Sequence, residues 1–202
     1  MAIYKNGKKS GKQGDVIHSS WNGRPYTRRM PESVANPQTE AQQAHRLAFA
    51  AISRLSSAMK AGHAVGLHWK ALRDKLNTHS VFKKLNKDCF GPDGIDYSRI
   101  CISYGSATGV SITSAEIDAQ GTVRVSFSNL YTAQDARDQF YLFVFCPDLH
   151  DGAFAPPVAR YVGQVSAELP AEWRGHTIHL YAFMKSTKSR TSATIYVGAF
   201  CA

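Results

Sequence analysis

Long apolar runs are missing from this 202-residue chain. The longest, at 140–146 and 48–52, fall far short of the roughly 18 residues a helix needs to cross a bilayer, so no transmembrane helix is expected. The basic opening MAIYKNGKKSGKQG lacks the apolar core of about 7–15 residues that marks a secretory signal. It predicts a protein of the cytoplasm or of a virion-like assembly. Only four cysteines occur, at 89, 101, 146 and 201. Their scatter excludes a disulfide scaffold, and they read as reduced thiols. Carboxylates form no cluster, and nothing else in the chain argues for an enzyme. What remains, 44% hydrophobic and 19% charged residues, is enough for one or two domains with a real core and excludes collagen-like and disordered chains.

Acidic residues are also scarce where basic ones are plentiful. Residues 1–90 carry 16 Lys and Arg against 5 Asp and Glu, whereas residues 91–202 carry 8 against 10. The net charge of +9 therefore sits entirely in the first half, which either faces something acidic or tolerates strong self-repulsion.

The first 36 residues show no helical period and read as a basic arm or β-ribbon. Asn22-Gly23 predicts a tight hairpin turn between 16–21 and 25–29, because both central positions of such a turn need positive φ. Pro31 and Pro37 bracket an extended linker over 30–37. A helical region is then expected over 37–94. Thr39 with Gln42 makes a capping-box pattern, and the helix should run to about Ala61 with Gly62 as its stop. Its apolar residues Ala44, Leu47, Ala48, Ala51, Ile52, Leu55, Ala58 and Met59 recur at helical spacing and predict one buried stripe. A second helix over about 63–77 would bury Val65, Trp69, Leu72 and Leu76, and a third over about 80–87 would bury Val81, Phe82 and Leu85.

From Ile95 the period changes from 3.6 to 2. Strands are predicted at 100–104, 111–117, 122–127, 140–146, 159–166, 177–184 and 194–199. Seven short strands at this spacing point to an immunoglobulin- or fibronectin-like antiparallel β-sandwich over 95–202, without the Cys-Trp-Cys framework of antibody domains. The fold class is thus α+β: basic arm, helical segment, sandwich.

Motifs with chemical meaning are few. GKKSGK at 7–12 has three residues rather than four between its glycines and Gln13 where a magnesium-binding hydroxyl belongs, so it reads as a basic arm and not a phosphate loop. His176 and His179 would point to opposite faces of a strand, and His63 and His68 are off register on a helix. No metal, cofactor or catalytic residue is assigned, and Cys146 reads as core. The remaining signal is a basic set, Lys5, Lys8, Lys9, Lys12, Arg24, Arg28 and Arg29, interleaved with Tyr4, Trp21 and Tyr26. Cations track a phosphate backbone and aromatic faces stack on exposed bases. A helical face with Lys70, Arg73, Lys83, Lys84 and Lys87 extends the same charge.

SGKQG at 10–14, SSWNGRPYTR at 19–28, NPQTEAQQAHRLAFA at 36–50, IDYSRI at 95–100, LPAEWRGHTIHLYAFM at 169–184 and YVG at 196–198 follow one another in an order that resembles an uncharacterised family of similar length common in Bacteroidota. The resemblance covers nearly the whole chain and implies no catalytic residue, because the family is a domain of unknown function. NPQTEAQQAHR is also similar to a short segment of phage and prophage proteins. Together these features predict a non-enzymatic, phage-like assembly protein, a homo-oligomer or part of a larger assembly, whose basic region docks on a polyanion or a neighbouring subunit. A cytoplasmic nucleic-acid-binding accessory protein, meeting DNA or RNA, is the alternative, and an enzyme with a pocket between the helical region and the sandwich ranks third.

Overall fold

Asn22 and Gly23 take φ of 48° and 80°, the two positive values that a tight hairpin turn requires. The turn joins the last two strands of an antiparallel meander: β1 (Ile3–Lys5), β2 (Lys8–Gln13), β3 (Val16–Trp21) and β4 (Arg24–Arg29), paired in that order. The computed structural model describes residues 3–5, 8–33, 38–91, 94–128, 130–133 and 135–202. The side chains of Tyr4, Lys5 and Lys8, the linker end with Pro37, and the Pro92-Asp93 turn tip lie outside that description. Two compact units divide the chain, Met1–Gln43 and Ala44–Ala202. In the first, none of residues 9–33 is buried. The meander has backbone pairing but no core of its own there.

Helix α1 (Glu40–Ala58) starts in the first unit and lies mostly in the second. The Thr39 hydroxyl accepts the Gln42 backbone N–H at 3.4 Å, capping the first turn. After it come α2 (Lys60–Gly66), α3 (His68–Asp74) and α4 (Thr78–Leu85), the last capped by Asn77, whose side chain accepts the Ser80 N–H at 2.7 Å. Two of the expected helices are thus divided differently. Gly62 does not stop a helix: it sits inside α2, where an added Cβ would meet the Phe143 ring at 3.1 Å. The breaks fall instead at Met59, between α1 and α2, and at Leu67, between α2 and α3; Leu67 is fully buried, and it and Ala71 point inward. Trp69, Leu72 and Leu76, predicted to be core, are consequently exposed. The stripe on α1 is also buried only in part. Ile52, Leu55 and Met59 are in the core, whereas Ala44, Ala48 and Leu47, the last 72% exposed, are not.

β5 (Phe90–Gly91) and β6 (Gly94–Ile95) make a minimal ladder. Beyond it are β7 (Ile112–Ile117), β8 (Thr122–Phe127), β9 (Gln139–Cys146), β10 (Asp151–Phe154), β11 (Val158–Ala159), β12 (Gln164–Glu168), β13 (Thr177–Lys185) and β14 (Ile195–Cys201). They form two antiparallel sheets, β12-β8-β7 and β10-β9-β13-β14, with β11 also pairing β9. Strands β9 and β13 are apolar on both faces. Leu142, Val144, Leu180 and Ala182 pack with Val123, Val125 and Val165 of the small sheet, whereas Phe143, Phe145, Tyr181 and Phe183 pack with Ile52, Leu55, Met59 and Phe82 of the helices. The helical and β-rich stretches therefore share one central sheet, in an α+β arrangement of helices, large sheet and small sheet.

One predicted strand is not a strand, and another is broken in two. Residues 100–104 are extended, but side chains satisfy their backbone. Asn86 accepts the Cys101 N–H at 2.6 Å and donates to the Cys101 carbonyl at 2.9 Å, while the Thr194 hydroxyl accepts from Ile102 N and Ser103 N at 2.9 and 2.7 Å. Residues 159–166 break because Arg160 turns into the interior, ending β11 in a 3-10 turn (Arg160–Val162) before β12 begins. Its guanidinium donates to the carbonyls of Leu130, Thr108 and Gly109 at 3.3, 3.2 and 2.6 Å and pairs with Asp135 at 3.5 Å.

Candidate polyanion-binding face

Strand pairing decides which residues of the basic meander share a face, since alternate residues point to opposite sides. The register sets Lys12 opposite Ile17, Ile17 opposite Arg28, Ser19 opposite Tyr26 and Trp21 opposite Arg24. Lys12, Trp21, Arg24, Tyr26 and Arg28 therefore stand on one side. Arg29 is on the other, with Val16, His18 and Thr27, where His18 Nδ1 lies 3.0 Å from the Thr27 hydroxyl. Along β4 the shared side reads Arg24, Tyr26, Arg28, a cation, an aromatic and a cation about 7 Å apart. Trp21 is 70% exposed and Tyr26 46%. Strands β2 to β4 contain no Asp or Glu, and among the described residues Lys12, Arg24 and Arg28 form no ion pair. Such a surface offers free cations for an anionic backbone and open aromatic faces for flat rings.

The predicted helical face divides in two. Lys70 and Arg73 are engaged on their own helix, with nitrogens 3.0 and 3.3 Å from the Asp74 carboxylate. Hydrogen bonding to Lys70, supported by Arg73, holds that carboxyl below its usual range. Lys70 also lies 4.6 Å from the centre of the Tyr104 ring. Lys83, Lys84 and Lys87 instead rim a cleft of about 440 Å³ between α1 and α4, beside His45 and Asp88. Its floor is apolar, made by Ala48, Phe49, Ile52 and Phe90.

Sequence spacing gave no sign of a buried polar cluster at Ser56, whose partners come from 7 and 23 residues away. The Ser56 hydroxyl lies 2.8 Å from His79 Nδ1 and 3.4 Å from His63 Nε2. That set resembles a nucleophile with its bases, but Ser56 is buried and sealed from substrate. His63 donates from Nε2 to the Ser56 carbonyl at 2.8 Å and leaves Nδ1 without a partner. Burial lowers its pKa to about 4. Burial also pushes the Cys89 and Cys101 thiols up, away from nucleophilic thiolates. His176 pairs with Asp148 at 2.9 Å, while His179 bonds the Tyr196 hydroxyl at 2.9 Å, so the two do not converge. Among the described residues no His, Cys, Asp and Glu cluster could hold a metal ion, and no helix is long and apolar enough to cross a membrane.

A family of unknown function (DUF6266) matches residues 8–198. The chain belongs to that family. The match takes in the cation-and-aromatic face and the cleft between α1 and α4, so both lie within the family's own extent. No curated protein matches the chain.

Proposed function

We propose that this member of DUF6266 is a non-enzymatic docking and assembly protein whose basic meander grips a polyanion, and that the polyanion is single-stranded nucleic acid. The observation that carries this reading is the placement of Lys12, Arg24 and Arg28 with Trp21 and Tyr26 on one face of strands that carry no Asp or Glu. Three cations suit any polyanion. The exposed indole and phenol favour one with unstacked bases, since a duplex hides base faces that a single strand offers. The second unit supplies a rigid body and another surface. The strand orders β12-β8-β7 and β9-β13-β14 parallel the orders E-B-A and C-F-G of an immunoglobulin constant-type domain, which supports an immunoglobulin- or fibronectin-like reading of the sandwich.

A neighbouring subunit is the second partner class, and the uncovered Ala44, Leu47 and Ala48 on α1 favour it. Native mass measurement before and after nuclease treatment separates the two. A particle that carries nucleic acid and loses it with nuclease supports the first reading. A nucleic-acid-free oligomer indifferent to nuclease overturns it in favour of subunit assembly.

A further inference from the structure

We infer that the cleft between α1 and α4 is a binding site for an amphipathic carboxylate, an anion of the fatty-acid type. The site is distinct in residues and chemistry from the meander face, and it stands or falls separately. Its volume of about 440 Å³ lies in the range of small-molecule clefts, roughly 300–1,000 Å³. Ala48, Phe49, Ile52 and Phe90 give it a carbon floor, so a ligand that used only the rim would leave apolar surface wet. Phe49 is 55% exposed and adds its ring to that apolar lining.

The rim selects the head group. Lys83, Lys84 and Lys87 line the cleft with His45 and a single acid, Asp88, and the Lys83 ammonium lies 4.9 Å from the centre of the Phe49 ring. That cation–π contact places a positive charge directly above the apolar surface. A ligand occupying the cleft thus meets lysine side chains beside apolar surface. A neutral apolar molecule leaves the lysines unused, and a uniformly charged polymer leaves the floor unused. A carboxylate on an alkyl chain satisfies both.

The test is calorimetric titration of the full chain with monomeric hexanoate, octanoate and decanoate, with decanol and inorganic phosphate as controls. The expected result is saturable one-to-one binding that tightens about two- to four-fold per added methylene, with decanoate at least ten-fold tighter than decanol. Inorganic phosphate and oligo-dT do not displace it. The K83Q/K87Q double variant, changed only at the rim, weakens decanoate at least ten-fold while leaving decanol unaffected. Phe49→Ala weakens both. Equal affinity for decanol and decanoate, displacement by oligo-dT, indifference to K83Q/K87Q, or no saturable heat up to millimolar decanoate overturns the assignment.

Discussion

Replacing Trp21 by Ala separates stacking from charge on the meander, because the indole is 70% exposed and no core residue depends on it. One base stacked on an aromatic side chain contributes about 1–3 kcal/mol, so Trp21→Ala should weaken oligo-dT binding about 5- to 150-fold at every salt concentration. The cations act through the slope instead. Lys12, Arg24 and Arg28 share the face, and each phosphate neutralised on a single strand contributes about −0.7 to the dependence of log affinity on log salt. Three contacts give a slope near −2, or a loss of about 20-fold between roughly 50 and 200 mM salt. Arg28→Ala should bring the slope to about −1.4 and the loss to about 7-fold. Fluorescence anisotropy with labelled oligo-dT measures both quantities for the full chain. The reasoning is refuted by a wild-type slope near zero, by a Trp21→Ala effect under about two-fold, or by a tryptophan change that alters the slope rather than the intercept.

Three further outcomes concern the scaffold. Arg160→Ala strips the donor from the Thr108, Gly109 and Leu130 carbonyls and removes the ion pair to Asp135, which keeps its Thr132 hydrogen bonds. Thermal unfolding should show a loss of about 2–4 kcal/mol from the carbonyls left without a donor, a fall in Tm on the order of 10 °C. Thr194→Val keeps the shape but leaves the Ile102 and Ser103 N–H groups without an acceptor; denaturant titration should report a loss of about 2–4 kcal/mol, and an effect below about 0.5 kcal/mol counts against the bonding described. His63 has a folded pKa near 4, below the value of about 6.5 for an unfolded histidine, so the unfolded chain binds the extra proton as pH falls. The stability it contributes is whole above pH 6.5 and drains away toward pH 4, by about 2 kcal/mol at pH 5. Unfolding curves of His63→Gln between pH 7 and pH 5 should be flatter than wild type by that amount.

Local rules were legible where one residue pair or one alternation decides the structure. Asn22-Gly23 marks its own turn, Thr39 its own cap, and Val123, Val125 and Phe127 alternate into the core as their spacing implies. The candidate face was half legible. Its residue types stood out, but assigning Lys12 and Arg28 to one side and Arg29 to the other needed the strand register. The misreadings share one cause: a distant partner overrode a local pattern. Leu67 takes the buried place expected of Trp69, Gly62 admits Phe143 instead of ending a helix, and Arg160 turns inward toward carbonyls about 30 and 50 positions earlier. The segment at 100–104 has the composition of a strand and spends its hydrogen bonds on Asn86 and Thr194.

That last segment also orders events during synthesis. Asn86 reaches its partner Cys101 as soon as that short loop leaves the ribosome, but the Ile102 and Ser103 amides wait for a hydroxyl at position 194. At translation rates of about 5–20 residues per second, the interval between residues 103 and 194 is on the order of 5–20 s. A chain without the Thr194 hydroxyl keeps the Asn86–Cys101 bonds and leaves the Ile102 and Ser103 amides without that acceptor.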